Sequence, residues 1–208
     1  MFTDRIDAGR RLAQELEDFR GADTLVLALP RGGVVLGYEV AQSLGAPLDI
    51  VVTRKIGHPL HPEYAIGVVD EKGKRLLNEA EAAGLDPQWL DAETEKQRNE
   101  AARRIIAYRG GRAPARIAAK TVILVDDGIA TGLTMRLAAR IVREGNPARI
   151  IVAVPVASAE SLRDLESEGV DDIIVLEPPE TFGGAVGRHY MHFEQVDDRE
   201  VIRILKAR

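Results

Sequence analysis

A chain of 208 residues that is 45% hydrophobic and 29% charged can build one α/β domain with a sizeable core, and this composition argues against disorder. A formal net charge of −5 gives no general reason to bind nucleic acid or an anionic membrane, and the absence of cysteine excludes disulfides, a thiolate metal site and a cysteine nucleophile. No run is long and apolar enough to span a bilayer, and Met1-Phe2-Thr3-Asp4-Arg5 lacks the basic-then-apolar order of a signal peptide, so a cytoplasmic protein is expected.

Asp4 to Phe19 is amphipathic, with Ile6, Leu12, Leu16 and Phe19 near helical spacing and Asp4 placed to cap the start. Thr24 to Leu29 is a continuous apolar run and reads as a buried parallel strand. It stops at Pro30-Arg31-Gly32-Gly33, and Val34 to Leu44 then reads as a helix. Pro and Gly-Gly suit a tight turn. The two glycines also allow close backbone approach to an anion, and Arg31 adds a charged fork that fits phosphate oxygens. Leu48 to Thr53 is the next expected strand, followed by Arg54-Lys55 at its carboxyl end, an edge that faces the cleft in open α/β sheets.

From Ile56 to Asn78, Gly57, Pro59, Pro62 and Gly67 break regularity, and Ala65 to Val69, Asp70 to Gly73 and Lys74 to Leu77 read as a hairpin with a four-residue turn. His58 and His61 lack an evident third ligand nearby and read as loop histidines. Asp86-Pro87 opens a charged helix to Tyr108, read as largely solvated and as a flap or an oligomer contact, and residues 110–114 form a linker. Ala148 to Pro155 and Asp172 to Leu176 read as core strands flanking a helix from Glu160 to Glu168, and Asp198 to Ala207 closes as a short helix. The alternation predicts an α/β fold, an open parallel sheet with helices on both faces. Between the last strand and the last helix, Phe182, Tyr190 and Phe193 collect in a glycine-rich stretch. They suit either a small satellite core or stacking on a flat ring.

The chain is organised around Val122-Ile-Leu-Val-Asp126-Asp127-Gly128-Ile129-Ala130-Thr131-Gly132-Leu-Thr134. Four apolar residues read as a buried strand, two acids follow, and a loop of small residues leads into a helix. Backbone N–H groups left free at a helix N-terminus suit a phosphate monoester. The acids repel that phosphate and call instead for a sugar diol or a magnesium ion. A ligand with a phosphate at one end and a diol at the other is a ribose 5-phosphate.

The same stretch resembles the phosphoribosyl pyrophosphate (PRPP) signature of the type I phosphoribosyltransferases, with Gly128 standing where many members carry an aliphatic residue. Pro30-Arg31-Gly32-Gly33 and Arg54-Lys55-Ile56-Gly57 are similar to motifs of a poorly characterised subgroup. The resemblance implies a single domain over 1–208, with a mobile loop at about 56–78, a helical insertion at about 86–114 and a hood at about 177–197. It implies Mg²⁺-dependent transfer of the 5-phosphoribosyl group from PRPP to an acceptor, expected to be a nucleobase, with release of pyrophosphate. Asp126 and Asp127 would hold the ribose diol and could also meet Mg²⁺. Gly128, Ile129, Ala130, Thr131, Gly132 and Thr134 would hold the 5′-phosphate, and Arg31, Gly32, Gly33, Arg54 and Lys55 the pyrophosphate. Phe182, Tyr190 and Phe193 would hold the acceptor. A cis peptide between Arg31 and Gly32, a homodimer and a place in nucleotide metabolism belong to the same expectation. The alternatives are a non-catalytic sensor of PRPP or a nucleotide, and a hydrolase acting on a ribose phosphate.

Overall fold

Five short apolar runs pair side by side in the computed structural model, which describes residues 1–21 and 23–207; Ala22 and Arg208, part of the expected 1–208 domain, lie outside the described residues. They are β1 (Thr24–Ala28), β2 (Leu48–Ile50), β6 (Thr121–Val125), β7 (Arg149–Val154) and β8 (Asp172–Val175), all parallel, in the order β2-β1-β6-β7-β8. Their pleat sends alternate side chains to opposite faces. Val26, Ala28, Ile123, Val125, Ile151 and Ala153 meet α1 (Arg5–Glu15), α2 (Gly33–Leu44) and α7 (Asp198–Lys206). Leu25, Leu27, Val122, Leu124, Ile150 and Val152 meet α5 (Leu133–Glu144) and α6 (Ala159–Glu166). Both faces are therefore covered, as the continuous apolar runs require. No helix among the described residues is long and apolar enough to cross a membrane.

Strand order reverses between β1 and β6. β1 leads through α2 to one side, and β6 leads through α5 to the other. A crevice opens at such a switch point, outside the carboxyl ends of the strands. The two loops singled out in the sequence, 30–33 and 126–132, follow β1 and β6 and flank it.

A second sheet stands beside this crevice. β3 (Thr53–His58), β4 (His61–Asp70) and β5 (Arg75–Leu77) form an antiparallel ribbon in that order. This corrects two boundaries. β2 ends at Ile50 rather than Thr53, and the antiparallel pairing starts at Thr53, ahead of the expected hairpin of 65–77, because Thr53 pairs with Asp70, Arg54 with Val69 and Lys55 with Val68. Pairing across sequence distance recruits residues that local pattern assigns to the preceding strand. The expected four-residue turn is present: the Asp70 carboxylate accepts the N–H groups of Lys72 at 2.9 Å and Lys74 at 2.7 Å, and Gly73 takes φ +90.

The ribbon is wedged between two helices. Ile56, Ile66 and Val69 pack with Leu90 of α4 (Pro87–Arg109), while Val68 packs with Leu133 and Leu137 of α5. A register shift leaves Ile66 unpaired between Ala65 and Gly67, which lets it share a side with Val69. The short α3 (Glu79–Ala82) links ribbon to α4. α4 does not project as a flap. Ala101 and Tyr108 join the main core, the Tyr108 hydroxyl donates to Asp198 at 2.7 Å, and Arg109 donates to both oxygens of Asp49 at 3.1 and 3.2 Å.

α1 approaches α2 closely. A Cβ on Gly9 would lie 2.9 Å from the Leu36 Cα and 3.1 Å from the Glu39 Cβ. Gly9→Ala should gain up to about 1 kcal/mol in helix propensity yet lose roughly 1–3 kcal/mol to overpacking, so a net loss is expected in urea unfolding. A variant as stable as its parent would show that the two helices can move apart at no cost.

Candidate ligand-binding cleft

Asp126 and Asp127 emerge where β6 ends, at the bottom of the crevice. The Asp126 carboxylate accepts the Asp127 N–H at 2.8 Å. Asp127 is gripped from two sides: Arg5 Nε donates to its Oδ2 at 2.8 Å, and the Tyr190 hydroxyl donates to its carbonyl at 2.6 Å. Desolvation, then the neighbouring Asp127 charge, pushes the Asp126 carboxyl well above its ordinary range. Desolvation raises Asp127 too, against the pull of the Arg5 guanidinium.

The loop after β1 lies directly against this pair. A Cβ on Gly32 would collide with the Asp127 carboxylate, and one on Gly33 would sit 2.7 Å from the Val125 carbonyl and 2.9 Å from the Asp126 Cα. These two positions are glycine because the acids occupy the space a side chain would need. A cis peptide is present in this loop, but at Pro30–Arg31 rather than at the expected Arg31–Gly32 bond.

Residues 128–132 wrap the N-terminus of α5. Ile129 exchanges backbone bonds with the segment after β7: its N–H donates to the Val156 carbonyl at 2.9 Å and its carbonyl accepts from Ser158 at 3.0 Å. The Ser158 hydroxyl donates to the Ala130 carbonyl at 2.8 Å. Among the described residues, the N–H groups of Ala130, Thr131 and Gly132 have no protein acceptor, which leaves them for an anion at the positive end of the helix. Gly132, the N-cap, takes φ +75, a left-handed conformation that suits glycine. Gly128 has a steric reason as well. A Cβ there would meet Val186 at 2.6 Å and Val156 at 2.8 Å, so neighbours already fill the volume an aliphatic residue would take.

A cavity of about 810 Å³ extends from the acids toward the ribbon and α4, and a smaller one of about 260 Å³ lies over the 128–132 loop. Lys55, Asp126, Asp127 and Thr134 border both, so the two are neighbouring parts of one cleft. Arg31, Gly32, Arg54 and Lys55 all line the larger part. Arg54 donates to the Gln97 amide oxygen at 3.1 Å, and Gln97 donates to Glu93 at 2.7 Å. Desolvation, then the nearby Arg104, lowers the Arg54 pKa from the ordinary arginine value.

The aromatics of 182–193 divide. Phe193 lines the cleft, but the Arg5 guanidinium sits 3.8 Å over its ring and Tyr190 packs at 4.9 Å. Tyr190 is buried, and Phe182 stacks on His189; neither lines the larger cavity. His189 is buried and bonded to Glu177 at 2.6 Å, a packing role. His58 and His61 stack at the ribbon tip, and no group of three metal-ligating side chains occurs among the described residues.

Two sets of cleft residues escaped sequence reading. Arg5 lies 122 residues from its partner Asp127, and nothing local marks it. On α4, Trp89, Glu93, Gln97 and Arg104 recur at helical spacing and line the cavity. That spacing was a usable signal, masked by charges all around the helix.

Residues 3–186 match the family described as "Phosphoribosyl transferase domain". The chain belongs to this family. It is 41% identical, over 99% of its length, to "Putative phosphoribosyl transferase Rv0571c" of Mycobacterium tuberculosis (strain ATCC 25618 / H37Rv), and it covers 46% of that protein, so it spans about half the length of this curated relative. It is 29% identical to the "Bifunctional protein PyrR" of Chloroflexus aurantiacus, over 74% of this chain and 92% of that one. Among solved structures, TT1426 from Thermus thermophilus superposes with a TM-score of 0.79 at 41% identity, covering 98% of this chain and 97% of that one.

Desolvation of Asp126 has a pH signature. A carboxyl whose folded pKa is raised gives the folded state more bound protons than the unfolded state between the two pKa values, so stability falls as pH rises through that window. Asp126→Asn removes the loss. The variant should exceed its parent by on the order of 1 kcal/mol near pH 7, with the gap narrowing toward about pH 4. Urea unfolding across this range is the check, and a variant no more stable than the parent near pH 7 would refute the desolvated carboxylate.

Proposed function

We propose that the chain catalyses Mg²⁺-dependent transfer of the 5-phosphoribosyl group from PRPP to an acceptor, a nucleobase, with release of pyrophosphate. One observation carries the reading. A partly buried, desolvated acid pair, a loop with free N–H groups at a helix N-terminus and the cationic side chains of Arg31, Arg54 and Lys55 border one cleft at the sheet's switch point. Phosphate, diol and pyrophosphate need such partners in that adjacency.

On this reading the N–H groups of 130–132 and the Thr134 side chain hold the 5′-phosphate. Asp126 and Asp127 accept from the ribose hydroxyls. Arg31, Arg54, Lys55 and the backbone of Gly32 and Gly33 take the pyrophosphate. The transferase reaction develops positive charge on the ribosyl ring and negative charge on the leaving group. The acids face the first and the cations the second, so catalysis is positional and electrostatic. The ribbon tip, whose Gly57, His58 and Pro59 line the cavity, would shield the reaction from water.

Magnesium fits the donors present. The acid pair offers hard oxygen ligands in a desolvated place where a cation relieves their repulsion, and among the described residues no group of three metal-ligating side chains gathers to form a full cage. Asp126 and Asp127 would hold the ion together with substrate oxygens, and it would supply charge neutralisation for pyrophosphate. A purely sensing role needs the phosphate loop and the acids; cations gathered for a leaving group favour turnover.

Calorimetric titration with PRPP and Mg²⁺ should show binding by the parent and none by Asp126→Asn/Asp127→Asn. Arg54→Ala/Lys55→Ala should still bind a nucleoside monophosphate while pyrophosphate release falls by on the order of 10²–10³-fold. Unchanged release would dismiss the roles given to these cations. Binding of nucleoside monophosphates without any PRPP binding would dismiss the transferase.

A further inference from the structure

Arg54 is a half-buried cation whose side-chain acceptor is the neutral amide of Gln97. Besides Arg5, which is paired with Asp127, two more guanidiniums line the same cavity. Arg31 comes from the loop after β1, and Arg104 comes from α4, where it lies about four turns beyond Trp89 on the same face. Their counter-charges are few and shared. Arg104 donates to Glu100 at 2.8 Å, but Arg103 takes both oxygens of the same carboxylate at 2.7 and 2.9 Å. Arg31 approaches Asp198 only to 3.8 Å, and that carboxylate also accepts from Tyr108 at 2.7 Å and Arg103 at 3.2 Å. Three arginines, Arg31, Arg103 and Arg104, thus draw on two carboxylates, while Arg54 is bonded to an amide.

Such a gathering opposes folding. Like charges repel more strongly where water is partly excluded, and a helix that needed only to dock could do so with apolar residues. The repulsion is expressed at Arg54, whose pKa is depressed by desolvation, by Arg104 and by Arg31. A polyanion would reverse the sign of the whole cluster. Guanidinium forks match phosphate oxygens two at a time, and three of them from three elements can surround two linked phosphoryl groups. Gly32, next to Arg31 in sequence, lies against the Asp127 carboxylate and lines the same cavity, so an anion here would adjoin a ribose held by the acids. Lys55 lies toward the other side, shared with the cavity over the 128–132 loop.

We infer that Arg104 completes, with Arg31 and Arg54, a three-guanidinium site for the leaving pyrophosphate, which makes α4 a wall of the reaction site. The inference rests on the proposed transferase reading for the identity of the anion, but the site itself can be tested without turnover.

The experiment is a calorimetric titration of the parent with inorganic pyrophosphate, beside Arg104→Ala and Glu100→Gln. The parent should bind. Arg104→Ala should bind pyrophosphate at least about tenfold more weakly, with ribose 5-phosphate binding within about twofold of the parent. Glu100→Gln keeps the guanidinium and removes its competitor, so pyrophosphate should bind as tightly or more tightly. If the Arg104–Glu100 pair were only a structural clasp, both variants would weaken binding together. That result, an unchanged affinity in Arg104→Ala, or no binding by the parent would overturn the inference. Thermal melting of each variant identifies any loss caused by unfolding, and Arg104→Lys, which retains charge without the fork, should recover part of the affinity. Failure of the two ideas is separable. Arg104-dependent pyrophosphate binding without PRPP turnover sustains the site and defeats the transferase. PRPP turnover with Arg104-independent pyrophosphate binding does the reverse.

Discussion

Two adjacent carboxylates held in a desolvated place at the end of a parallel strand set the terms for everything around them. Asp126 and Asp127 repel each other, and burial raises both pKa values. The surrounding chain answers in three ways. Arg5 reaches from the start of α1 to pair with Asp127. Gly32 and Gly33 leave room where any side chain would strike the acids. Tyr190 ties the Asp127 carbonyl to the C-terminal segment. α1, the loop after β1 and residues 190–194 therefore converge on one pair of charges, and Arg5 alone touches Asp127, the Glu194 carbonyl and the Phe193 ring.

The opposite wall carries the opposite problem. Arg31, Arg54 and Arg104 bring positive charge together, and the carboxylates that pair with Arg31 and Arg104 are shared with Arg103. A fold selected for stability alone would avoid both clusters. Their presence across one cleft, acids at the sheet and guanidiniums toward α4, describes a ligand better than either does alone: cationic or hydroxylated on one side, strongly anionic on the other. The antiparallel ribbon joins the two walls, since its faces pack against α4 and α5 and β3 carries both Arg54 and Lys55.

Family membership agrees with this geometry and adds a limit of scale. The chain matches TT1426 along nearly its whole length but covers only about half of the mycobacterial relative.

Much of the scaffold was legible because its signals are local. Continuous apolar runs marked the parallel strands, Asp4 capped α1 and Asp86-Pro87 opened α4 where expected, and the strand–acid–loop–helix order placed Asp126 and the 128–132 loop at a carboxyl edge. The sequence by itself determined the fold class, the family and the acid pair with the loop that follows it, since strand period, helix caps and glycine turns depend on neighbours a few residues apart. Only the tertiary structure decided the rest. Thr53 left β2 for the ribbon because its partner, Asp70, lies across a hairpin. Arg5 became part of the cleft through a contact spanning 122 residues. Tyr190 and Phe182 were spent on packing, whereas polar α4, read as solvent-facing, supplied a wall. A charged side chain looks the same in sequence whether it meets water or a cleft; which it meets is fixed by long-range packing, and on α4 the charges all around the helix masked the local spacing that hinted at it.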